Sequence, residues 1–233
     1  MSSAAPERRP LVVLAHGTDN AAGRTVLEQV TVAAANTLGL TPRLGYVDVC
    51  HPTAAETMGG LSAPVVVPLF LASGYHVRTD IPEAVAAVLG AISTAPVGSG
   101  AAIADALRDR VLAADPEPDA VILTGAGSSH DAARAEVASA AELLSERLGV
   151  PVRHAFLSAS PPTMAEAYTG LSGRVVVASH LLAPGYFQSK LESTAAALGL
   201  RATGPLGSHP AVAAVVVERY RTAVAAGAGR MDT

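Results

Sequence analysis

The feature that most constrains this chain is an internal repeat: the 233-residue sequence matches itself when it is shifted by about 110 positions. A slip of one residue after the third predicted strand keeps the later positions aligned. The matched pairs span most of the chain: Gly17 with Gly127, Arg24 with Arg134, Gly39 with Gly149, Val65 with Val175, and Gly74-Tyr75 with Gly185-Tyr186. A period of this length is too long for a solenoid repeat and indicates a duplicated domain. We therefore predict two tandem domains, residues 1–115 and 116–233.

Each copy shows the same alternation of strands and helices. The predicted strands are 11–15, 43–49 and 65–71 in the first copy and 120–125, 152–157 and 174–179 in the second, and each copy adds a short fourth strand. The predicted helices are 22–38 and 131–148, short helices that open at 52–53 and 162–163, a helix after each third strand (the first from about Arg78), and closing helices at 101–113 and 210–226. Strands that alternate with helices form parallel sheets with right-handed crossovers. The fold class is therefore α/β, with two doubly wound parallel sheets of about four strands and a cleft between the domains.

Three polar residues occur in the first copy only, and each ends a strand or lies in the loop that follows. They are His16 opposite Ala126, Asp48 opposite Ser158, and His76 opposite Phe187. Because the carboxyl ends of parallel strands share one edge, we expect the three side chains to lie close together there. Two imidazoles and one carboxylate suit a divalent first-row metal such as Fe²⁺, Co²⁺, Ni²⁺ or Zn²⁺.

The second copy has weaker candidates at the equivalent edge. His130 and His180 follow its strands and are expected to line the same cleft. The segment Gly-Ala-Gly-Ser-Ser at 125–129 is typical of a small anion-binding turn before a helix. It lacks the full glycine pattern and the Gly-Lys-Ser/Thr of nucleotide loops, so we expect no nucleotide.

Composition excludes several function classes. The net charge is −4 without a basic run, and aromatic residues make up 3% of the chain, so we expect no nucleic acid and no membrane partner. A single cysteine, Cys50, is typical of a reducing cytoplasm. The sequence has no apolar run long enough to cross a membrane. The ends, 1–9 and 227–233, are predicted to be loose tails.

Three segments carry a resemblance to a known family. They are Ala-His-Gly-Thr at 15–18, Tyr-Val-Asp-Val-Cys-His-Pro-Thr at 46–53, and Pro-Leu-Phe-Leu-Ala-Ser-Gly-Tyr-His-Val at 68–77. Over almost its whole length the chain resembles the sirohydrochlorin chelatases, the ATP-independent type II chelatases, in their two-domain form. That family usually has Glu where this chain has Asp48, so Asp48 is expected either to bind the metal or to hydrogen-bond a ligand histidine.

The resemblance implies an enzyme that inserts a metal into sirohydrochlorin or a related tetrapyrrole, in sirohaem or cobalamin biosynthesis. Fe²⁺ is the first choice of metal, Co²⁺ the second, and Ni²⁺ remains open. His16, His76 and Asp48 carry over as metal-binding and catalytic residues, with one active site per chain. The substrate's eight carboxylates call for donors around the cleft, and the candidates are Ser73, Tyr75, Arg78, Ser128, Ser129 and Lys190.

Two rival functions stay open at this point. A non-catalytic metal or tetrapyrrole carrier would use the same histidines. A histidine phosphatase also has His-Gly after its first strand, but it requires Arg directly before the histidine, where this chain has Ala15. The sequence does not choose between a monomer and a homodimer.

Overall fold

The computed structural model describes residues 8–158 and 160–228. The first half contains β1 (Leu11–Ala15), α1 (Ala21–Leu38), β2 (Leu44–Tyr46), α2 (Ala54–Met58), β3 (Val65–Pro68), α3 (Tyr75–Arg78), α4 (Asp80–Ala86), β4 (Ile92–Ser93) and α5 (Ala101–Ala114). The second contains β5 (Ala120–Gly125), α6 (Asp131–Leu148), β6 (Val152–Phe156), α7 (Met164–Tyr168), β7 (Val175–Ser179), α8 (Tyr186–Ala197), β8 (Arg201–Ala202) and α9 (Pro210–Ala228).

These strands form two four-stranded parallel sheets with the same topology. The orders are β2-β1-β3-β4 and β6-β5-β7-β8. The central strands pair in register, with Leu11 opposite Val65 and Ala120 opposite Val175. Such strands are buried on both faces, which explains their continuous runs of Val, Leu and Ile. The predicted α/β duplicated fold is confirmed.

Two strands of the first half are shorter than predicted. The second strand ends at Tyr46 and not at residue 49, because Val49 adopts a positive φ of 67° and the Cys50 N–H turns back to the Asp48 carbonyl. The third ends at Pro68 and not at Leu71. The next helix begins at Tyr75, earlier than the predicted start near Arg78, because Gly74 provides an extended N-cap. All these differences lie at the carboxyl edge of the sheet.

The closing helix of each half packs on the other half. α9 lies against α1 and β3, whereas α5 lies against α6 and β7. One central apolar cluster therefore joins the two sheets and includes Val13, Val30, Leu107, Val121 and Val217. Separate clusters fill the outer faces, under α2 and α4 in the first half and under α7 and α8 in the second. The limits 1–115 and 116–233 stay a prediction, since they separate the sheets but cut across this exchange of helices.

Loops from the carboxyl ends of the two sheets lie against each other. A Cβ placed on Gly23 would be 2.3 Å from the Pro184 carbonyl oxygen, and one on Gly185 would be 3.0 Å from Thr18 Oγ1. At a second contact between the two halves, the Ser73 N–H donates to Glu136 Oε2 at 2.7 Å. Both carboxyl edges therefore border one shared region.

Defined structure extends closer to both ends of the chain than the predicted tails, 1–9 and 227–233, allow. Arg9 Nε donates to the Ala63 carbonyl at 2.8 Å, Tyr220 donates to the Arg9 carbonyl at 2.6 Å, and α9 continues to Ala228. The rest of both tails, 1–7 and 229–233, lies outside the described residues. Within the described part of the chain, no helix is both long and apolar enough to cross a membrane.

Candidate metal and substrate site

The first two candidate ligands are held by neighbouring strand ends. His16 follows β1 directly, and its carbonyl accepts a hydrogen bond of 3.0 Å from the Asp48 N–H. Gly17 has φ of 101°, and a Cβ there would lie 2.2 Å from the Asp48 carbonyl oxygen. Only glycine allows this approach. The backbone therefore fixes the spacing between the two loops before either side chain contributes.

The third candidate, His76, is oriented by a carboxylate on the next helix. His76 Nδ1 lies 2.5 Å from Asp80 Oδ2, four residues along the chain. A carboxylate only accepts, so the imidazole donates from Nδ1 and leaves Nε2 free. The His16 and His76 rings stand edge to face, with centroids 4.5 Å apart at 87°.

The three side chains come together as the sequence predicts. Ligand atoms of His16, Asp48 and His76 all lie within 4.8 Å of one another, and this is the one such group of His, Cys, Asp or Glu among the described residues. His16 and Asp48 are exposed and His76 is half-buried. Three protein ligands with an open, accessible side are typical of sites where a metal reacts rather than sites where it is structural.

The second copy repeats the backbone of this site without its ligands. Gly127 has φ of 103°, and a Cβ there would lie 1.8 Å from the Ser158 carbonyl oxygen. The Ser158 hydroxyl donates to the Ala126 carbonyl at 2.8 Å. The third equivalent position holds Phe187. The loop geometry therefore belongs to the duplicated fold, whereas the ligand side chains belong to the first copy only.

Three of the predicted substrate-binding residues lie beside His76. Ser73 and Arg78 are joined, since Arg78 Nε donates to the Ser73 carbonyl at 2.8 Å. Tyr75 is 56% exposed, and its ring meets that of His76 edge to face at 5.7 Å. A guanidinium and a phenol therefore lie on the same short segment as His76.

Ser128 and Ser129 lie in the loop opposite. A Cβ on Gly74 would be 3.8 Å from Ser128 Oγ, so Ser128 faces the loop that carries His76. Its hydroxyl already accepts from the His130 N–H at 3.1 Å, and Ser129 is exposed. Lys190 is half-exposed in α8, about one turn from the start of that helix. Binding of substrate by these residues stays a prediction.

The two second-copy histidines differ from each other. His130 is half-exposed at the N-cap of α6. His180 was expected to line the cleft, and that expectation is wrong, because the residue is only 4% exposed. Its Nε2 lies 2.6 Å from Ser99 Oγ, which also contacts the Leu71 carbonyl at 2.8 Å. Burial lowers the pKa of the His180 imidazole to about 4, so it is neutral and structural.

Sequence reasoning missed Asp80 and Glu136. The spacing of His76 and Asp80, four residues apart, would have indicated the first pair if the helical region had been predicted to begin at Tyr75. Glu136 accepts from the Ser73 N–H across the junction of the two halves. No local sequence pattern indicates this contact, because Ser73 and Glu136 are far apart in the chain.

Two named chelatases are similar to this chain in sequence. The chain is 27% identical over 195 residues to the sirohydrochlorin ferrochelatase of Bacillus subtilis (strain 168), covering 74% of this chain and 73% of that protein. It is 32% identical over 79 residues to the sirohydrochlorin cobaltochelatase of Methanopyrus kandleri, covering 31% of this chain and 55% of that protein.

Two solved structures share the fold. SirB from Bacillus subtilis with Fe³⁺ matches with a TM-score of 0.83 at 21% identity, over 96% of this chain and 98% of SirB. CbiX, described as the terminal enzyme for biosynthesis of siroheme in denitrifying bacteria, matches with a TM-score of 0.71 at 19% identity, over 92% of this chain and 99% of that one. The CbiX family model matches residues 10–114 and again 120–223, once in each repeat. With nearly the whole described chain matched, this protein belongs to the CbiX family.

Proposed function

We propose that this protein inserts a divalent metal into sirohydrochlorin or a similar early tetrapyrrole without ATP. Fe²⁺ is the preferred ion and Co²⁺ the next, in keeping with the ferrochelatase and cobaltochelatase among its relatives. Ni²⁺ is also an acceptable ion for these ligands. The observation that carries the proposal is the group of His16, Asp48 and His76, with ligand atoms within 4.8 Å at an exposed sheet edge.

The metal is a substrate here, and the site must hold it and then release it. His16 and His76 would each supply a ring nitrogen, and Asp80 would fix the ring of His76 so that Nε2 faces the ion. Asp48 Oδ1 accepts from the Val49 N–H at 2.7 Å, which leaves its second oxygen for the metal or for a ligand imidazole. Few ligands and an exposed position both favour transfer.

Insertion also requires a proton acceptor. The macrocycle loses two pyrrole protons as it gains the metal, and its nitrogens replace the protein ligands in turn. An imidazole that has given up the metal regains a free lone pair and is then a general base within reach of the ring. The exposed His16 is the better placed of the two to pass that proton to water.

The substrate's carboxylates need hydrogen-bond donors and positive charge at the rim of the site. Arg78, Ser73 and Tyr75 would meet them on the side of His76, because all three lie within three residues of that ligand. Ser128, Ser129 and Lys190 would act from the second half. The chemistry calls for no nucleotide, since metal binding and proton transfer suffice.

The remaining assignments rest on the sequence. A reducing cytoplasm suits a chain whose sole cysteine, Cys50, is half-buried and unpaired. Because both halves of one chain border the site, a monomer can supply every residue named above, and a homodimer would repeat the same site.

The test is an anaerobic absorbance assay with sirohydrochlorin and Fe²⁺, Co²⁺ or Ni²⁺. The His16→Ala and His76→Ala variants should lose at least about tenfold in rate, since each removes a metal ligand. The matched control is His154→Ala, a half-exposed imidazole on β6, which should keep the full rate. Equal conversion with and without protein would refute the enzyme, and tetrapyrrole binding without conversion would leave a carrier.

A further inference from the structure

The second copy carries two exposed aromatic side chains where the first carries a metal ligand. Tyr186 is 73% exposed and Phe187 is 37% exposed. Large apolar rings in water cost free energy, and few of this chain's large apolar side chains are exposed. Neither ring has a role in the metal chemistry above.

The ring pair Tyr186–Phe187 has a geometry similar to that of the ring pair Tyr75–His76 in the first half. α3 begins with Tyr75-His76 and α8 begins with Tyr186-Phe187, and each pair follows a glycine at the N-cap. The Tyr75 and His76 rings are 5.7 Å apart at 81°, and the Tyr186 and Phe187 rings are 5.3 Å apart at 75°. Phe187 therefore takes the position in the second half that the His76 imidazole takes in the first.

The start of α8 lies next to the metal-bearing loop. Gly185 approaches Thr18, two residues after His16, and Pro184 approaches Gly23 in α1. Around Phe187, the equivalent of His16 is the small Ala126. The other neighbouring side chain, Ser158, is occupied by its bond to the Ala126 carbonyl. The positions equivalent to the first copy's three candidate ligands therefore carry no charged side chain, and Tyr186 and Phe187 are both exposed.

We propose that Tyr186 and Phe187, here called the aromatic platform, bind the flat face of the tetrapyrrole. This rests on the proposed function, because insertion requires the macrocycle to lie beside His16 and His76. Aromatic rings that stack on a flat conjugated ligand bind it without a specific pattern of hydrogen bonds. The peripheral carboxylates then remain free for the charged and polar side chains of the rim. The degenerate second copy therefore supplies substrate affinity, and the first supplies the metal.

The experiment separates the two contributions by measuring tetrapyrrole binding without metal. Quenching of the fluorescence of uroporphyrin, a stable porphyrin with eight carboxylates, is titrated with wild type and with Tyr186→Ala/Phe187→Ala. The double variant should bind about tenfold to hundredfold more weakly. Phe187→Trp, which keeps a flat ring, should bind as wild type does. Leu89→Ala removes an apolar side chain that is 90% exposed on the loop before β4, and should change nothing.

Three outcomes are decisive. Co²⁺ titrated alone should bind the double variant as tightly as wild type, and a loss there would mean damage to the whole site and overturn the platform. Equal uroporphyrin and sirohydrochlorin binding by wild type and the double variant would overturn the platform and leave the chelatase proposal intact. Failure of wild type to bind either tetrapyrrole would refute both. In turnover with sirohydrochlorin, the double variant should show a raised KM with little change in kcat.

Discussion

His180 makes the stability of the fold sensitive to mild acid. The imidazole lies between the two halves, bonded to Ser99, which is bonded in turn to the Leu71 carbonyl. Since the serine has one proton and gives it to the carbonyl, His180 Nε2–H must donate to the hydroxyl. Burial lowers the pKa of His180 to about 4, from an ordinary value of 6.5.

The direction in which the free energy of unfolding changes with pH follows from proton uptake by His180. Below pH 6.5 the imidazole of the unfolded chain takes up a proton, whereas the folded protein keeps it neutral until about pH 4. The unfolded state therefore binds more protons in this window, and the free energy of unfolding falls as the pH falls. The full shift corresponds to about 3 kcal/mol, of which about 2 kcal/mol is lost between pH 7 and pH 5.

The assay is urea unfolding of the metal-free protein at pH 7, 6 and 5. His180→Gln keeps an N–H that can reach Ser99 but does not titrate, so its free energy of unfolding should vary about 2 kcal/mol less over this range than that of wild type. The comparison uses the slope with pH, so a constant loss of stability in the variant does not affect it. Carboxyls with lowered pKa, such as Glu56 at about 2, lose their contribution only at lower pH.

His154→Gln serves as the control, because that imidazole keeps contact with solvent in the folded protein. It should retain the wild-type slope. If wild type and His180→Gln show parallel profiles, within about 0.5 kcal/mol, the buried imidazole does not govern the acid response and the reasoning fails.

Two further predictions concern the metal group. Asp80→Asn should weaken Co²⁺ binding about tenfold to hundredfold, because the amide no longer fixes the His76 ring as a carboxylate does, whereas Glu83→Gln on the same helix should leave it unchanged in a metal titration. Gly17→Ala and Gly127→Ala should each lower the free energy of unfolding by at least about 2 kcal/mol, since both place a Cβ against a carbonyl oxygen at positive φ. Only Gly17→Ala should also weaken Co²⁺ binding; equal metal affinities in the two variants would contradict the link between that turn and Asp48.

The sequence predicted the parts of the fold that repeat themselves. Equivalent arginines close equivalent loops in the two halves. Arg24 NH1 donates to the Thr18 carbonyl, and Arg134 NH1 donates to the Ser128 carbonyl. Both short helices begin where predicted, and each opens with a Thr–Glu capping box, Thr53 with Glu56 and Thr163 with Glu166. Periodicity and caps depend on neighbouring residues, and a duplication is visible when the sequence is aligned with itself. All three can therefore be identified in a single sequence.

The carboxyl edges, where chain segments distant in sequence meet, are the part of the fold that the sequence predicts least well. The apolar run 65–71 predicts a strand throughout, yet the strand ends at Pro68, and a few residues later the Ser73 N–H bonds to Glu136 of the second half. His180 followed a strand as His16 did and was therefore expected to be accessible. The ring is instead buried and bonded to Ser99, 81 residues away in the chain. Contacts of this kind are tertiary, and neither propensity nor spacing encodes them.

The second half is needed even though the candidate metal group lies entirely in the first half. Its closing helix, α9, covers α1 and β3, so the sheet that carries His16 and His76 has no complete core without it. Its loop at Pro184 and Gly185 packs against Gly23 in α1 and against Thr18, two residues after the candidate ligand His16. Neither requirement depends on a histidine at position 126 or 187. Both positions are therefore free to hold apolar side chains. The proposed asymmetric site, with metal on one wall and apolar rings on the other, suits a substrate that is flat, apolar on its faces and charged at its rim.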